Sequence, residues 1–261
     1  MIFKSHNNIL FFLLALTLGA SATAKEVTVA FGQFQPPYVM HQEHNVHPSS
    51  DSTHMHGIEI DIFSAALRLS GHTLKTQIMN KTEIKWSLKT NRNIDAGSAI
   101  SPGRSTDQFY YSDKLIEHTP FAITKKNKNI VLNSFDDLKN YKVAVRSGSN
   151  MALGNSFANK IYQNKKDNKF ANQLHQNIAF WSDKADVIIV DRYIFNYYKN
   201  MLANEFDTLS QAVEFNDLFS KKIPYYAAFK DKNLRDQFNS ALETLKKSGE
   251  YQAIISRYIK L

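Results

Sequence analysis

Short apolar runs alternate along the chain with patterns of helical spacing, and this order predicts an α/β fold. The run E-V-T-V-A-F-G, which begins at Glu26, is rich in β-branched residues and predicts a strand that the sequence Q-P-P-Y ends. The apolar spacing after Gly57 then predicts an amphipathic helix that ends at Gly71. Strand, loop and helix in this order form the opening unit of an α/β fold.

A second set of similar elements follows in the middle of the chain. Ser134 is placed to cap a short helix, Tyr141 to Val145 predicts a strand, and Gly148-Ser149-Asn150 predicts the start of another helix. The apolar run from Ala185 to Val190 predicts a strand buried on both faces of a sheet. Two such units, each too small to be the whole protein, predict two lobes with a ligand cleft between them.

The C-terminal segment predicts two consecutive helices. Its apolar residues recur at helical spacing, and the pattern is interrupted at Ser248-Gly249. These helices close the predicted α/β arrangement.

The N terminus predicts export. Residues 1–24 comprise a short basic start, an apolar run of about 12 residues and the small residues Ala22-Thr23-Ala24. The run is shorter than the roughly 20 residues that a membrane-spanning helix needs, and a buried N-terminal helix is the alternative interpretation. We therefore predict a cleaved signal peptide over 1–24. Because the chain has no cysteine, a lipoprotein anchor and a disulfide scaffold are both excluded, and the predicted location is the bacterial periplasm.

The net charge of the chain indicates which kinds of molecule it could bind. The chain has a formal net charge of +8, with its basic residues scattered in ones and twos. This balance favours anionic ligands or surfaces. The sequence lacks the interleaved basic and aromatic residues that a nucleic-acid groove would need, so we predict no nucleic-acid partner.

Five motifs in a fixed order identify a family. They are Q-P-P-Y, G-I-E-I-D-I, I-S-P-G-R followed by F-Y-Y-S-D, S-F-D-D-L-K-N-Y-K-V-A-V-R-S-G-S, and S-D-K-A-D-V-I-I-V-D. In these motifs, over nearly the whole mature sequence, the chain resembles the family 3 periplasmic solute-binding proteins, the receptors of polar amino-acid ABC importers. The resemblance implies a type II binding-protein fold: lobe 1 from residues 25–119 and 223–261, lobe 2 from 120–222, and two hinge strands between them. It also implies a monomer without cofactor or catalysis, whose closed form a membrane permease recognises.

The resemblance further implies how an amino acid is held. A zwitterion in a water-excluding cleft needs a partner for each of its charges. Arg104 lies where the family places its carboxylate-binding arginine, and Asp191 where its aspartate binds the ammonium; a surface charge and a plain helix N-cap are the alternatives. Ser149, unless it is only an N-cap, meets the same carboxylate, and the Gly97 carbonyl accepts from the ammonium.

Other positions concern the far end of the ligand. Arg146 matches a position that reads the ligand side chain in some relatives and would suit an acidic or amide group; an exposed strand-end charge is the alternative. Relatives often cover the ligand with an aromatic ring two residues before the pair Pro37-Tyr38; here that position is Gln35, with Phe34 adjacent, and Phe34, Gln35 and Tyr38 are predicted ligand contacts. Gln35 departs from that pattern, which leaves the identity of the ligand open.

A histidine-rich insertion follows Tyr38. Five of the nine histidines, His41, His44, His47, His54 and His56, fall within 16 residues. Imidazoles bind zinc, copper and nickel, so a divalent-metal site is one interpretation, and a solvated loop rich in Pro, Ser and Asp is the other.

Three further functions remain open on the same fold. One is a metal-handling protein that uses the histidine loop. Another is a dehydratase-like enzyme for cyclohexadienyl acids, although no His or Glu beside the motifs suggests itself as the acid or base. The last is a sensor partner that reports the ligand to a membrane receptor.

Overall fold

The computed structural model describes residues 24–41, 55–90, 93–102, 108–148, 168–220 and 222–259, with the isolated residues 153, 154, 157 and 159. Two mixed five-stranded sheets and the helices around them make up this part of the chain, which confirms the predicted α/β class. None of the described helices is long and apolar enough to cross a membrane.

The first sheet takes strands from both ends of the chain. Its members are β1 (Glu26–Phe31), β4 (Thr73–Ile78), β5 (Ala96–Ile100), β6 (Tyr110–His118) and β12 (Ile223–Phe229). Their order is β4-β1-β5-β12-β6. The strands β4 and β5 run parallel to β1, whereas β12 is antiparallel to both of its neighbours. We call this sheet and its helices the first unit.

The second sheet lies wholly within the middle of the chain. Its members are β7 (Pro120–Lys125), β8 (Val143–Arg146), β9 (Asn168–Phe170), β10 (Val187–Asp191) and β11 (Val213–Asn216). Their order is β11-β7-β10-β8-β9, with β10, β8 and β9 parallel. We call this sheet and its helices the second unit. A separate hairpin pairs β2 (Met40–His41) with β3 (Met55–His56).

The helices follow the sheets in the same division. The first unit has α1 (Ile58–Leu69), α2 (Lys81–Lys89), α6 (Lys232–Ser248) and α7 (Glu250–Tyr258). The second has α3 (Gln173–Trp181), α4 (Arg192–Met201) and α5 (Ala203–Phe206). Short 3-10 helices cover Lys126–Lys128 and Phe135–Asn140.

The chain crosses between the units twice. It leaves the first sheet after His118 and enters the second at Pro120, with Thr119 between them. It leaves the second sheet after Asn216 and re-enters the first at Ile223. The two crossings lie side by side, because β6 and β12 pair there with Ile223 opposite His118 and Pro224 opposite Glu117. The exact lobe boundaries remain a prediction.

Aromatic side chains fill the core of each unit. Phe63 of α1 contacts Phe31, Phe229 and Phe238, with ring centroids 4.5 to 5.8 Å apart. In the second unit the Trp181 ring stacks on Phe195 at 5.5 Å. Large aromatic rings at such distances bury apolar area and add edge or stacking contacts.

Most of the predicted elements are confirmed, with shifted ends. The strands expected at Glu26 and Ala185 are β1 and β10, and β8 begins at Val143, two residues after the predicted start. Ser134 forms a capping box with Asp137. Gly249, at φ 82°, separates the two closing helices as predicted. Ser149 and Asn150, where the start of a further helix is predicted, lie outside the described residues.

We expect Gly97→Ala to destabilise the protein. A Cβ atom at Gly97 would lie 2.4 Å from Cγ2 of Ile84 and 2.9 Å from Cδ1 of Ile100, so α2 would have to move off β5. Overpacking of this kind costs about 1–3 kcal/mol in the free energy of unfolding, which denaturant titration would measure. The control is Gly32→Ala, whose Cβ would have the Lys81 Cε as its nearest neighbour at 3.7 Å. Equal stability of the two variants would contradict this account of Gly97.

Candidate functional site

A cavity of about 560 Å³ lies between the two units, and we call it the cleft. Residues of the first unit on its walls include Gln35, Lys81, Lys85, Ser98, Ala99, His118 and Tyr225. The second unit contributes Pro120, Arg146, Ser147, Gly148, Gln173, Asp191 and Ile194. Its size is that of a small-molecule site, and such sites favour the junction between domains.

Asp191 is the central polar residue of the cleft. It is the last residue of β10 and the N-cap of α4, and it is only 7% exposed. Its Oδ1 accepts from the backbone N–H groups of Tyr193 and Ile194, at 2.9 and 3.2 Å. The Tyr38 hydroxyl donates to the same oxygen at 3.0 Å, and the N–H of Thr119 donates to Oδ2 at 2.8 Å. One carboxylate therefore joins a helix start, a crossing strand and a side chain of the first unit.

Burial dominates the electrostatics of this carboxylate. It raises the pKa of Asp191 to about 6, although the hydrogen bonds from Thr119, Ile194, Tyr38 and Tyr193 act in the opposite direction. The carboxylate is thus costly to ionise in the empty cleft. A cation bound beside Asp191 would favour the ionised form.

Two cationic side chains face the same cavity. Arg146 ends β8, and Lys81 is the first residue of α2. The Lys81 ammonium lies 4.8 Å from the centroid of the Tyr225 ring, within cation–π range. Burial lowers the pKa of Lys81, whereas the negative charge of Glu59 raises it.

Glu59 lies behind the cleft wall, and its negative charge acts on Lys81. It is 3% exposed and accepts a hydrogen bond of 3.0 Å from the hydroxyl of Ser98. Burial raises the pKa of this carboxyl, and the charge of Lys81 and the Ser98 hydrogen bond lower it. Each of the two groups therefore partly compensates the charge of the other.

His118 forms part of the wall between the two crossings. Its ring packs between Tyr38 and Tyr225, at centroid distances of 4.3 and 4.7 Å. Burial, and then the positive charges of Lys81 and Arg146, lower the pKa of His118 to about 3, so the ring is neutral at physiological pH. Within the described residues its Nε2 has no hydrogen-bond partner.

The backbone beneath the cleft is bent at Ala99. This residue of β5 has φ 49°, in the left-handed region that residues other than glycine seldom occupy. The pairing of β5 with β12 is irregular over the same stretch. The bend places Ser98, Ala99, Ile100 and Ser101 along the cleft.

Comparison with known proteins identifies the family. Residues 27–261 match the bacterial extracellular solute-binding proteins, family 3. The chain belongs to this family. The arginine-binding extracellular protein ArtP of Bacillus subtilis (strain 168) is 25% identical over 208 residues, 77% of each chain.

Solved structures show that this family 3 protein has the type II binding-protein fold. An ancestral arginine-binding protein bound to arginine matches with a TM-score of 0.65 at 24% identity, over 90% of this chain and 98% of that one. The ligand-binding core of GluR0 in complex with L-glutamate matches with a TM-score of 0.68 at 16% identity, over 91% and 99%. The fold predicted from the sequence is confirmed.

The structure brings three of the predicted site residues together. Gln35, Arg146 and Asp191 all line the cleft. Arg104 and Ser149 lie outside the described residues, and their predicted contacts with the ligand carboxylate stay predictions.

The other three predicted residues are not among those that line the cleft, and their contacts with a ligand stay predictions. Gly97 is buried within β5, paired with Ala30 and Ala228. Phe34 is 50% exposed and stacks on His41 instead. Tyr38 is buried behind His118 and meets Asp191 rather than the cleft, because its hydroxyl needs a partner when the ring is buried.

Of the five histidines in the insertion, His41 and His56 are among the described residues. His44, His47 and His54 lie outside the described residues. In the β2–β3 hairpin His41 pairs with Met55 and His56 with Met40, so the alternation of side chains places the two histidines on opposite faces. His41 stacks on Phe34 and His56 packs against Tyr258. In the described part of the chain there is no group of three residues able to hold a metal ion.

Several cleft residues were missed by the sequence analysis, namely Lys81, His118 and Tyr225 in the wall and the Glu59–Ser98 pair behind it. Glu59 lies inside the motif G-I-E-I-D-I, where an acidic residue between two buried isoleucines was an available signal. Nothing in the local pattern around Lys81 or His118 distinguishes them from surface residues.

We expect the buried Asp191 to impose a pH dependence on stability. Its pKa in the folded protein is about 6, above the ordinary value of 3.8, so the stability it contributes is fully present below about pH 4 and is lost as the pH rises through 6. Relative to Asp191→Asn, the wild type should lose about 3 kcal/mol of unfolding free energy between about pH 4 and pH 7.

Denaturant titration across this pH range would measure the difference. Asp231→Asn is the matched control, because Asp231 also caps a helix, accepting from the N–H of Leu234, but is exposed to solvent. A parallel pH dependence of the wild type and Asp191→Asn would contradict the assignment.

Proposed function

We propose that the protein is a periplasmic receptor that binds a polar amino acid in the cleft and delivers it to an ABC importer. In this proposal the lobes are 25–119 with 223–261, and 120–222, and they close on the ligand about the two crossings. The receptor acts as a monomer, and the permease recognises the closed form. Family membership and the position of the cleft between the two units support this function.

The observation that carries the proposal is the coordination of Asp191. Among the described residues Oδ1 accepts three hydrogen bonds, whereas Oδ2 accepts one, from Thr119. A carboxylate oxygen has two lone pairs, so Oδ2 retains room for a further donor. An ammonium group at this oxygen would supply a charge-assisted hydrogen bond and would compensate a buried negative charge. The N-cap and the ammonium partner are then the same residue.

The other charges of the cleft favour an acidic or amide side chain on the ligand. Of the described residues on its wall, Lys81, Lys85 and Arg146 are cationic and Asp191 is the one anion. A carboxylate or amide oxygen at the far end of the ligand can accept from Arg146 and Lys81, whereas a guanidinium there would be repelled. We therefore propose glutamate, aspartate or glutamine as the cargo, with Arg104, Ser149 and the Gly97 carbonyl retained as proposed contacts of its backbone groups.

His118 and Glu59, the candidate acid–base groups in and behind the cleft wall, are poorly suited to catalysis. His118, with its pKa at about 3, is a weak base and is not in the imidazolium form that could act as a general acid near neutral pH. Glu59 lies behind the wall, hydrogen-bonded to Ser98. We propose a receptor without catalysis, and turnover of a cyclohexadienyl acid by the purified protein would overturn this part of the proposal.

Calorimetric titration of protein refolded free of ligand tests the cargo. We expect glutamate, aspartate or glutamine to bind and arginine to bind at least about tenfold more weakly than the best of them. Lys81→Gln and Arg146→Gln should each weaken glutamate binding by about tenfold or more, because each removes a cation from the cleft. Asp191→Asn should weaken the binding of every amino acid, because a neutral amide cannot compensate the charge of the ammonium.

Lys89→Gln is the matched control for Lys81→Gln. It removes the same charge from the same helix, at a residue that does not line the cleft. An arginine affinity above that of glutamate would contradict the acidic assignment. The absence of binding by all twenty amino acids would overturn the receptor proposal itself.

A further inference from the structure

A second cavity, of about 600 Å³, lies on the other side of the two crossings, and we call it the rear cavity. It is lined by Tyr38, Ile58, Lys114, Ile116, Glu117, Thr119, Phe121, Asp191, Arg192, Tyr193, Lys222, Lys246, Tyr251 and Ile255. None of the functions discussed above uses it. Its volume is similar to that of the cleft.

A thin partition separates the rear cavity from the cleft. Tyr38 lines the rear cavity, His118 lines the cleft, and their rings pack at 4.3 Å. Asp191 lines both cavities and is fixed to Tyr38 by the hydrogen bond of 3.0 Å. The rear cavity is therefore a distinct site and not an extension of the cleft.

The floor of the rear cavity is apolar. Ile58, Ile116, Phe121 and Ile255 are each less than 10% exposed and line it together. The Tyr251 hydroxyl is already engaged, since it donates to the carbonyl of Leu115 at 2.8 Å. Such a surface binds the hydrocarbon body of a ligand.

The rim of the rear cavity is cationic. It has Lys114, Arg192, Lys222 and Lys246, and apart from Asp191 the one carboxylate among the described lining residues is Glu117. Glu117 pairs with Lys114 at 2.6 Å and with Lys222 at 3.1 Å. Among these lining residues four cations face two carboxylates, Glu117 and Asp191, so the rim keeps an excess of positive charge.

Two of these cations interact mainly with groups other than carboxylates, and the one carboxylate whose charge acts on Lys246 is Asp113, outside the cavity lining. Lys246 donates to the carbonyl of Lys114 at 2.8 Å, and the guanidinium of Arg192 lies over the rings of Phe121 and Phe215, at 4.6 and 5.0 Å. Neither forms a salt bridge with any residue that the structure describes. Lys246 belongs to the first unit and Arg192 to the second, so one anion between them would contact both units.

We propose that the rear cavity binds a small organic anion whose carboxylate, sulfonate or phosphate meets the Lys246, Arg192 and Lys222 side chains. Its aromatic or branched aliphatic body rests on the floor of isoleucine and phenylalanine side chains. The anionic group accepts charge-assisted hydrogen bonds from cations that line the same cavity, and the apolar body packs on the apolar floor. The site is separate from the amino-acid cleft and does not depend on which cargo binds there.

Isoleucine methyl NMR can locate such a ligand. Ile58, Ile116 and Ile255 line the rear cavity, whereas Ile84, Ile100 and Ile189 line the cleft. Titration of the mature protein with benzenesulfonate should shift the first three δ1-methyl signals in a saturable way and leave the other three in place. The neutral analogue benzenesulfonamide should bind at least about tenfold more weakly, because it lacks the charge.

Charge-reversal variants test whether the lysines of the rim contribute to binding the anion. Lys246→Glu and Lys222→Glu should each weaken benzenesulfonate binding by about tenfold or more, and both residues are exposed, so the fold should tolerate the change. Lys247→Glu is the matched control, because it makes the same change at the next residue of α6, where the side chain pairs with Glu243 outside the cavity.

The outcomes are distinct. Saturable shifts at the rear isoleucines that are lost in Lys246→Glu and kept in Lys247→Glu would support the site. Shifts confined to the cleft isoleucines, equal binding of benzenesulfonamide, or an equal loss in Lys247→Glu would overturn it. None of these results depends on amino-acid binding, so failure of the rear site and failure of the receptor proposal are separable.

Discussion

The buried carboxylate of Asp191 is the interaction on which the arrangement of the two units depends. Its oxygens accept from the start of α4, from the N–H of Thr119 in the first crossing, and from the Tyr38 hydroxyl of the first unit. Loss of this group would leave four donors without their acceptor in a largely buried region, and a buried donor without a partner costs about 1–3 kcal/mol. The geometry of the crossings and the position of the cleft wall are thus fixed by one side chain.

The charge of Asp191 explains much of the chemistry around it. A fully buried carboxylate is expensive, and here burial raises the pKa of Asp191 to about 6 even with four donors in place. Nearby, Glu59 and Lys81 partly compensate one another, while His118 stays neutral. A cleft of this kind carries charges that are only partly balanced when it is empty. The stability of the empty protein and the charges that the cleft presents to a ligand therefore depend on the same few side chains.

Periodicity and motifs were sufficient for the fold but only for part of the site. The strand from Ala185, the capping box at Ser134 and the break at Gly249 were readable because each depends on local backbone chemistry. Asp191 and Arg146 were readable because each ends a recognisable strand inside a motif. Lys81 and His118 could not be predicted as cleft residues, because their importance comes from neighbours that are distant in the sequence. Tyr225, for example, lies close to both. The same limit applies to Tyr38: its hydrogen bond to Asp191, 153 residues away, could not be predicted from its motif, and its contact with a ligand stays a prediction.

Family membership says least about which ligand a particular member binds. The cations of the cleft combine a motif residue, Arg146, with Lys81 and Lys85 of α2, which lie outside the five motifs. A relative can therefore keep every motif and the whole fold while it reverses the charge at the far end of its cleft. Relatives named for arginine match this chain at 24–25% identity, a level at which α2 is free to differ. Because a guanidinium and the Lys81–Arg146 pair repel one another, the cargo has to be inferred from the charges that line this cleft rather than from the name of a neighbour.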